Sequence, residues 1–533
     1  VIDLWTANLA SLGRHPHPGA RELGTRLGAL GPSGLPALQN RNGSKIPTIV
    51  VDGKPRGLVS SFDAPREASR WAEPVHGGTV AVFGGAGREA LEALRARGTR
   101  LQFWVEPRLE VWQTLLTWQD WSSPREAEDW VPVLGSPEAW EAVVRERYHP
   151  LWDGRWQTLD WRGAQGDPRV DWDRYRRATV RALEAVSSDL STQARFGERW
   201  YRNTLVNLAR LKGGHILGNL RGTVVIAGAG PTLEDALDSA RGKAWLGQRP
   251  HTGDMLFSTD TALPALTARG WRPDVIFCLD GQLASYHHFV PPAPAGVPVV
   301  ADLSSLPLLD RLGLPVVRYL SGHPLGTVIR RHFPELPTLD ASLGNVSGLA
   351  RRTAEALGAS RIETWGVDFS YRDGQAYARG TYPYALGDRH ATRYQPLETR
   401  LGASCYGARG RSRTRDSQGR AIDTTPLLRL YRELWDVPAR PGSLSGLGHG
   451  DAGQRWAQFA EDWERRLLRL PLPPASKVHA FVRSLPQEDR EDWLALWPLA
   501  LSLHHQGLDP ALVPEATRDR AIQLLEASRP PSV

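Results

Sequence analysis

Cysteine, methionine and lysine are scarce in this chain of 533 residues, which holds two cysteines, one methionine and five lysines. The two cysteines, Cys278 and Cys405, make neither a disulfide framework nor a CxxC metal pattern. Long apolar runs are missing too, and none approaches the roughly 20 residues that span a bilayer. The start, Val1-Ile2-Asp3-Leu4-Trp5, lacks the basic-then-apolar layout of a secretory signal and has no initiator methionine. These absences argue against disulfide scaffolds, cysteine-rich metal modules and membrane spans. A reducing cytoplasm is the simplest home.

Because lysine is rare, the 65 basic residues are almost all arginine, and the net charge is +7. Arginine's planar fork suits phosphate and carboxylate. The charge is too diffuse along the chain for nucleic acid to be an expected partner. Its densest run, Arg409-Gly410-Arg411-Ser412-Arg413-Thr414-Arg415, reads as a solvated loop. Hydrophobic residues at 41% and charged residues at 23% are ordinary for a folded protein. The length exceeds what one core supports, so several domains are expected.

Periodicity predicts an α/β protein of four segments. Residues 1–135 carry a Rossmann-like pattern: the strand Thr79–Phe83, then Gly84, Gly85 and Gly87, a helix to Ala96, and a second strand ending in Glu106, an acid placed where ribose hydroxyls bind. Residues 136–213 read as a helical connector, with Trp140, Trp156, Trp161, Trp172 and Trp200 as packing residues. Residues 214–423 form a second Rossmann-like domain, in which the Gly- and Arg-rich text from Gly402 to Arg420 reads as a mobile loop. From 424 to 533 the amphipathic spacing of Trp456, Trp463, Leu467 and Trp493 predicts a helical region.

The chemistry concentrates in the second α/β domain. Thr223–Ala227 is apolar on both faces, as a central strand is. It runs into Gly228-Ala229-Gly230-Pro231-Thr232 and a helix from Leu233, with Thr232 and Asp235 spaced as a capping box. A strand, a glycine turn and a helix start present free N–H groups to a phosphate. No Gly-Lys-Ser/Thr follows, which excludes a Walker loop. Asp260 and Asp280 end the next two strands, at the edge where such sheets bind ligands. Asn345 and Gly348 flank Ser347, the expected N-cap of another helix. Asp368 closes a further strand, and Tyr371 and Tyr377 follow it, spaced to donate hydrogen bonds to a departing phosphate.

The ordered set GAGPT, STDTAL, PDVIFCLD, GNVSG and WGVDF resembles the MptE-like domain of motility-associated factor (Maf) glycosyltransferases. Ser61-Phe62-Asp63-Ala64-Pro65-Arg66-Glu67-Ala68 and the stretch Asp416 to Thr425, through Ser417, are similar to further segments of that family. The central domain also looks like a bacterial sialyltransferase core, where Tyr371, Gly374 and Tyr377 reproduce a Y-x-x-G-x-x-Y segment. It departs at Ala229, where those enzymes carry Asn, and at Thr232, where they carry Ser. The resemblance implies transfer of a nonulosonic acid from a CMP-sugar donor to serine or threonine hydroxyls of flagellin or another protein acceptor. It implies catalytic roles for His390 as base, Tyr371, Tyr377 and Asp368. Donor contacts fall to Gly228, Gly230, Pro231, Thr232, Asp260, Asp280, Asn345, Ser347 and Gly348, and Arg389 and Arg393 would face the donor carboxylate. No resident cofactor follows from it, and magnesium at Asp260, Asp280 or Asp368 is left open. Two alternatives stay open: a pterin pyrophosphokinase using ATP and Mg²⁺, and a non-catalytic nucleotide-binding protein.

Overall fold

Gly78–Phe83 (β1) is buried from Thr79 onward, as a strand covered on both faces must be. It pairs in parallel with Thr99–Val105 (β2) and Trp156–Asp160 (β4), while Trp130–Val133 (β3) lies beyond β2. The order β3-β2-β1-β4 reverses direction between β1 and β4. Val80, Val82 and Trp104 enter one core with Trp112, Trp121 and Trp130, and Ala81, Phe83 and Phe103 enter the other with Trp140 and Trp172. Trp140 meets Phe83 edge-on at 6.2 Å, so it does the packing expected of it. The stretch 136–213 is not purely helical, because β4 lies within it. Apolar Trp156 and Leu159 fit a short strand beside β1, and only then does the 38-residue helix Trp172–Ala209 begin.

The computed structural model describes residues 2–15, 17–35, 37–39, 45–51, 53–122, 130–161, 169–211, 218, 220, 222–290, 292–341, 343–408, 410–416, 418–437, 452–473, 481–482, 484–509 and 511–529. The expected boundary at 214, Arg409 of the arginine run and Ser417 lie outside them. The chain divides into two compact units, Val1–Thr192 with Pro473–Leu485, and Gln193–Leu472 with Pro486–Val533.

In the second unit six strands run parallel: Thr223–Ala227 (β5), Met255–Thr259 (β6), Val275–Cys278 (β7), Val299–Asp302 (β8), Val316–Tyr319 (β9) and Arg361–Trp365 (β10). Their order is β9-β8-β7-β6-β5-β10, so the reversal falls between β5 and β10. Val224, Ile226, Phe257 and Phe277 pack against Leu349, Ala350 and Ala354 of the helix Val346–Ala356. On the opposite face Val225, Ala227 and Leu256 pack against Leu233, Leu237 and Leu266. Each fully buried side chain of this kind contributes roughly 1.5–3 kcal/mol relative to an exposed one.

The expected mobile loop at 402–420 is instead the end of a helix, Leu397–Tyr406, and a hairpin of Ser412–Arg415 (β11) with Ala421–Thr424 (β12). Asp416 holds the turn by accepting the N–H groups of Gln418 and Arg420, both at 2.9 Å. Beyond it the chain is helical as expected, in Ala452–Arg469, Gln487–His505 and Val513–Ala527. Among the described residues no helix is long and apolar enough to cross a membrane.

Candidate active site

The glycine turn after β5 packs against the end of β10. Gly228 N donates to Trp365 O and Gly230 N to Gly366 O, both at 2.8 Å. A Cβ on Gly228 would sit 2.5 Å from Gly366 O, and one on Gly230 would sit 2.5 Å from Asp368 Oδ2. Only glycine allows two backbones so close. Asp368 Oδ2 then accepts the Thr232 N–H at 2.9 Å, and Oδ1 accepts its hydroxyl. The expected capping box is absent for that reason. Thr232 is committed to Asp368, and Asp235 is ion-paired with Arg372 instead. The helix itself is short, Thr232–Asp238, and Ser239 caps a second one over Ala240–Thr252. Part of the phosphate cradle expected at this turn is thus filled by the protein's own carboxylate.

At the tip of β6, Asp260 is 1% exposed, and its Oδ1 accepts the N–H of Thr261 at 2.7 Å and its hydroxyl at 3.2 Å. Burial raises its pKa, opposed by nearby His288 and these hydrogen bonds. A buried acid held toward its neutral form is a frequent mark of a working site. Cys278, expected to be an inert core residue, is buried beside it, and burial and Asp260 push its thiol well up. Asp280 is tied locally, accepting Gln282 N at 2.9 Å and Gln282 Nε2 at 3.1 Å. Asp260, Asp280 and Asp368 do not gather as metal ligands: among the described residues no three His, Cys, Asp or Glu side chains do.

His288 is a residue that sequence reading missed. It lies in the short 3-10 helix Leu283–Phe289 beyond β7, close enough to Asp260 to lower its pKa. Its Nδ1 is buried without a hydrogen-bond partner. Its neighbour His287 stacks on Tyr382 at 4.5 Å, and His288 meets the same ring edge-on at 5.9 Å. The signal in the sequence was a His-His pair just past a strand tip.

The spacing of Tyr371 and Tyr377 has a structural cause. Asp373 and Gly374 both take positive φ, 52° and 75°, and Arg372 and Gln375 exchange backbone bonds of 3.1 and 2.8 Å across them. This two-residue hairpin turn folds the segment back, so each tyrosine stands in the other's field or in that of Asp260. Burial first, then Cys405 and Tyr377, raises the Tyr371 pKa, and burial, Cys405 and Asp260 raise that of Tyr377. Tyr377 is 40% exposed as a residue. Both therefore stay protonated donors at neutral pH. The hairpin is held to the glycine turn and its helix by Ala378 N to Ala229 O at 2.8 Å, Arg379 N to Glu234 Oε1 at 2.7 Å, and a two-pronged contact of Arg372 with Asp235, Nη2 to Oδ1 at 3.2 Å and Nη1 to Oδ2.

The GNVSG segment is capped by Asn345, not by Ser347. The Asn345 Oδ1 accepts Gly348 N at 2.8 Å, which the extended backbone of Asn345 allows. Gly348 is tight because its Cβ would meet Leu343 at 2.5 Å, and Gly344 lies against Tyr431. Tyr431 also faces Phe369 at 6.4 Å, which brings this helix start near the β10 tip. The helix joins β9 to β10 between parallel strands, so its N-terminus opens on their carboxyl edge. His390, by contrast, is an exposed C-cap of the helix Tyr382–Arg389. Nothing in the described geometry joins its ring to Asp260 or to the two tyrosines. Arg389 and Arg393 are exposed as well.

Residues 202–374 match the family described as 6-hydroxymethylpterin diphosphokinase MptE-like. Among curated proteins, an uncharacterised protein of Treponema pallidum (strain Nichols) is 33% identical over 147 residues, 27% of this chain and 51% of its own length. Another from that strain is 25% identical over 300 residues, 56% of this chain and 63% of its own length. The chain thus spans between half and two thirds of these relatives. The solved structure of a Maf glycosyltransferase from Magnetospirillum magneticum AMB-1 superposes with a TM-score of 0.56 at 14% identity, covering 99% of this chain and 95% of that one. At that identity the likeness is one of fold.

Proposed function

We propose that this chain, an MptE-like domain set in the fold of a Maf glycosyltransferase, transfers a nonulosonic acid of the pseudaminic or legionaminic type from a CMP-activated donor to serine or threonine hydroxyls of flagellin. The observation that carries this reading is the pair Tyr371 and Tyr377, brought back toward one another by the Arg372–Gln375 turn, with Tyr377 in the field of buried Asp260 at the carboxyl edge of the sheet. Two neutral phenols there suit a leaving phosphate.

In the step itself the acceptor oxygen attacks the anomeric carbon while its proton passes to a base. The bond from that carbon to the phosphate oxygen breaks, and its electron pair leaves with CMP. Tyr371 and Tyr377 donate to the departing phosphate. We assign the base to His288 rather than His390, because His288 has an unpartnered buried nitrogen beside Asp260. Asp260 lies beside that ring. The amides at Asn345–Gly348 and the turn at Gly228–Thr232 frame the nucleotide, and Asp280 stands where a ribose would lie.

Co-expression with flagellin and intact-mass measurement tests this. A mass gain of one nonulosonate per modified site is expected with the native chain and none with Tyr371→Phe/Tyr377→Phe. An undiminished gain in that double variant refutes the leaving-group role. The family description supports a second reading, diphosphate transfer to a pterin. Thermal stabilisation by ATP with Mg²⁺, and by no CMP compound, would replace sugar transfer with it.

A further inference from the structure

The sheet of the first unit has its own reversal of strand order, between β1 and β4. Crevices at such points, outside the carboxyl ends of the strands, are where ligands of parallel sheets bind. A cavity of about 640 Å³ opens beside the end of β4, where Trp161 lines it, within the range of small-molecule sites. Trp161, the residue after β4, donates its backbone N–H to Phe83 O at the tip of β1, 2.9 Å away. Its indole N–H goes to Leu58 O at 2.6 Å, and Trp71 gives its own to Asp160 O at 2.9 Å. The two indoles meet edge-on at 5.0 Å and form an aromatic wall, with Phe62, 61% exposed, at the mouth.

The charges lining the cavity are unequal in their commitments. Asp63 caps the helix Ala64–Trp71 by accepting Arg66 N at 2.9 Å, and Glu67 Oε2 accepts Ser60 N at 2.7 Å. Each carboxylate thus bonds a backbone amide rather than a guanidinium group. The guanidinium groups of Arg66 and Arg70, one helical turn apart on that helix, have no hydrogen-bond or ion-pair partner among the described residues. Two free guanidinium forks facing an aromatic wall select a ligand with a ring and an anionic group.

We infer that this cavity binds a small ring-bearing anion, its ring against Phe62 and Trp71 and its carboxylate or phosphate on Arg66 and Arg70. The site is separate from the one proposed for sugar transfer and stands whether or not that reading holds. The glycine turn after β1 takes no part. Gly85 N is held by Glu106 Oε2 at 2.8 Å, and Glu106, expected to bind ribose, is fully buried and paired with Arg108.

Calorimetric titration of the full chain with uridine 5′-monophosphate, glucuronic acid and uncharged uridine tests the inference. The native chain is expected to show one more site for at least one of the two anions than Arg66→Ala/Arg70→Ala shows, with an unchanged thermal midpoint. That count separates this cavity from any nucleotide site in the second unit. Binding of the monophosphate assigns the ligand as a phosphate ester, and binding of glucuronic acid assigns it as a sugar acid. Phe62→Ala, at an exposed position, should weaken binding at least fivefold and serves if the double variant misfolds. Equal site numbers and affinities in native and variant chains, or uridine binding as tightly as its monophosphate, would overturn the inference.

Discussion

Asp368 reaches across from the end of β10 to hold Thr232, accepting its backbone N–H at 2.9 Å on one oxygen and its hydroxyl on the other. The carboxylate thereby does at this helix start what a bound phosphate does at others. Charge-assisted bonds of this kind contribute roughly 1.5–3 kcal/mol. Asp368→Asn is expected to lower the stability of the second unit by about 2 kcal/mol, and Thr232→Val by a little less. Denaturant titration of the double variant should show coupling of at least ~0.5 kcal/mol, as residues in one network do. Additive losses would mean that the two side chains act separately.

Gly230→Ala places a methyl 2.5 Å from Asp368 Oδ2 and 2.8 Å from Gly366 O. Backbone and an engaged carboxylate cannot yield as a loose side chain would, so overpacking of about 1–3 kcal/mol is expected. Gly366→Ala should cost more, because φ there is 66° and the new Cβ would lie 2.4 Å from Gly228 O. Ala229→Asn, at a half-buried position, should be milder than either. Thermal midpoints in the order Ala229→Asn, Gly230→Ala, Gly366→Ala, from high to low, would bear this out.

Strands β1, β5 and β7 are legible as short apolar runs rich in β-branched residues, while β2, β6 and β10 mix polar with apolar residues and show mainly by the acids that follow them, Glu106, Asp260 and Asp368; the sheet edge of the candidate site follows from them. What a single sequence cannot show is which distant group satisfies which backbone amide. Thr232 and Asp235 have the spacing of a capping box, yet their partners, Asp368 and Arg372, lie on a segment more than a hundred positions away. Ser347 and Asn345 are both good caps in isolation, and the extended backbone of Asn345, which lets its Oδ1 accept Gly348 N, shows only in the fold. His288 went unread because its meaning depends on Asp260, a neighbour in space and not in sequence. The tyrosine spacing is plain in the sequence, but the Asp373–Gly374 turn that explains it shows only in the φ values.

Asp492 is 1% exposed, and it meets Arg466 Nη2 at 2.6 Å and Arg331 Nη1 at 3.2 Å. Burial still pushes its carboxyl up against both guanidiniums, which is how a pair behaves when desolvation rivals attraction. Removing one member leaves the others buried and uncompensated. Asp492→Asn is therefore expected to cost about 3–5 kcal/mol, measured as the shift in the denaturant transition of the second unit. Replacement of Arg466 and Asp492 together by Met and Leu should recover a large part of that loss. A double variant no better than the single one would show that the ionic contact itself is the net stabiliser.

Two histidines, one in each unit, should make the protein sensitive to acid. Burial, joined by Arg147, His15 and Arg21, lowers the His17 pKa to about 4, and burial lowers that of His323 to about 4 against the pull of Asp302. In each case Nδ1 accepts a backbone N–H, from Gly19 at 3.1 Å and from Leu325 at 3.3 Å, so a proton on that atom would break the bond. The unfolded value near 6.5 lies above the folded one, and the folded state therefore favours the neutral ring. Its contribution is full above about pH 6.5 and is lost as pH falls toward 4, at most about 3 kcal/mol for each ring. Hydrogen exchange read separately for each unit should show protection falling across that window. His17→Asn, which keeps a capping acceptor, should flatten the loss in the first unit alone, and His323→Gln in the second alone. If neither slope changes, acid sensitivity arises from the carboxylates and not from these rings.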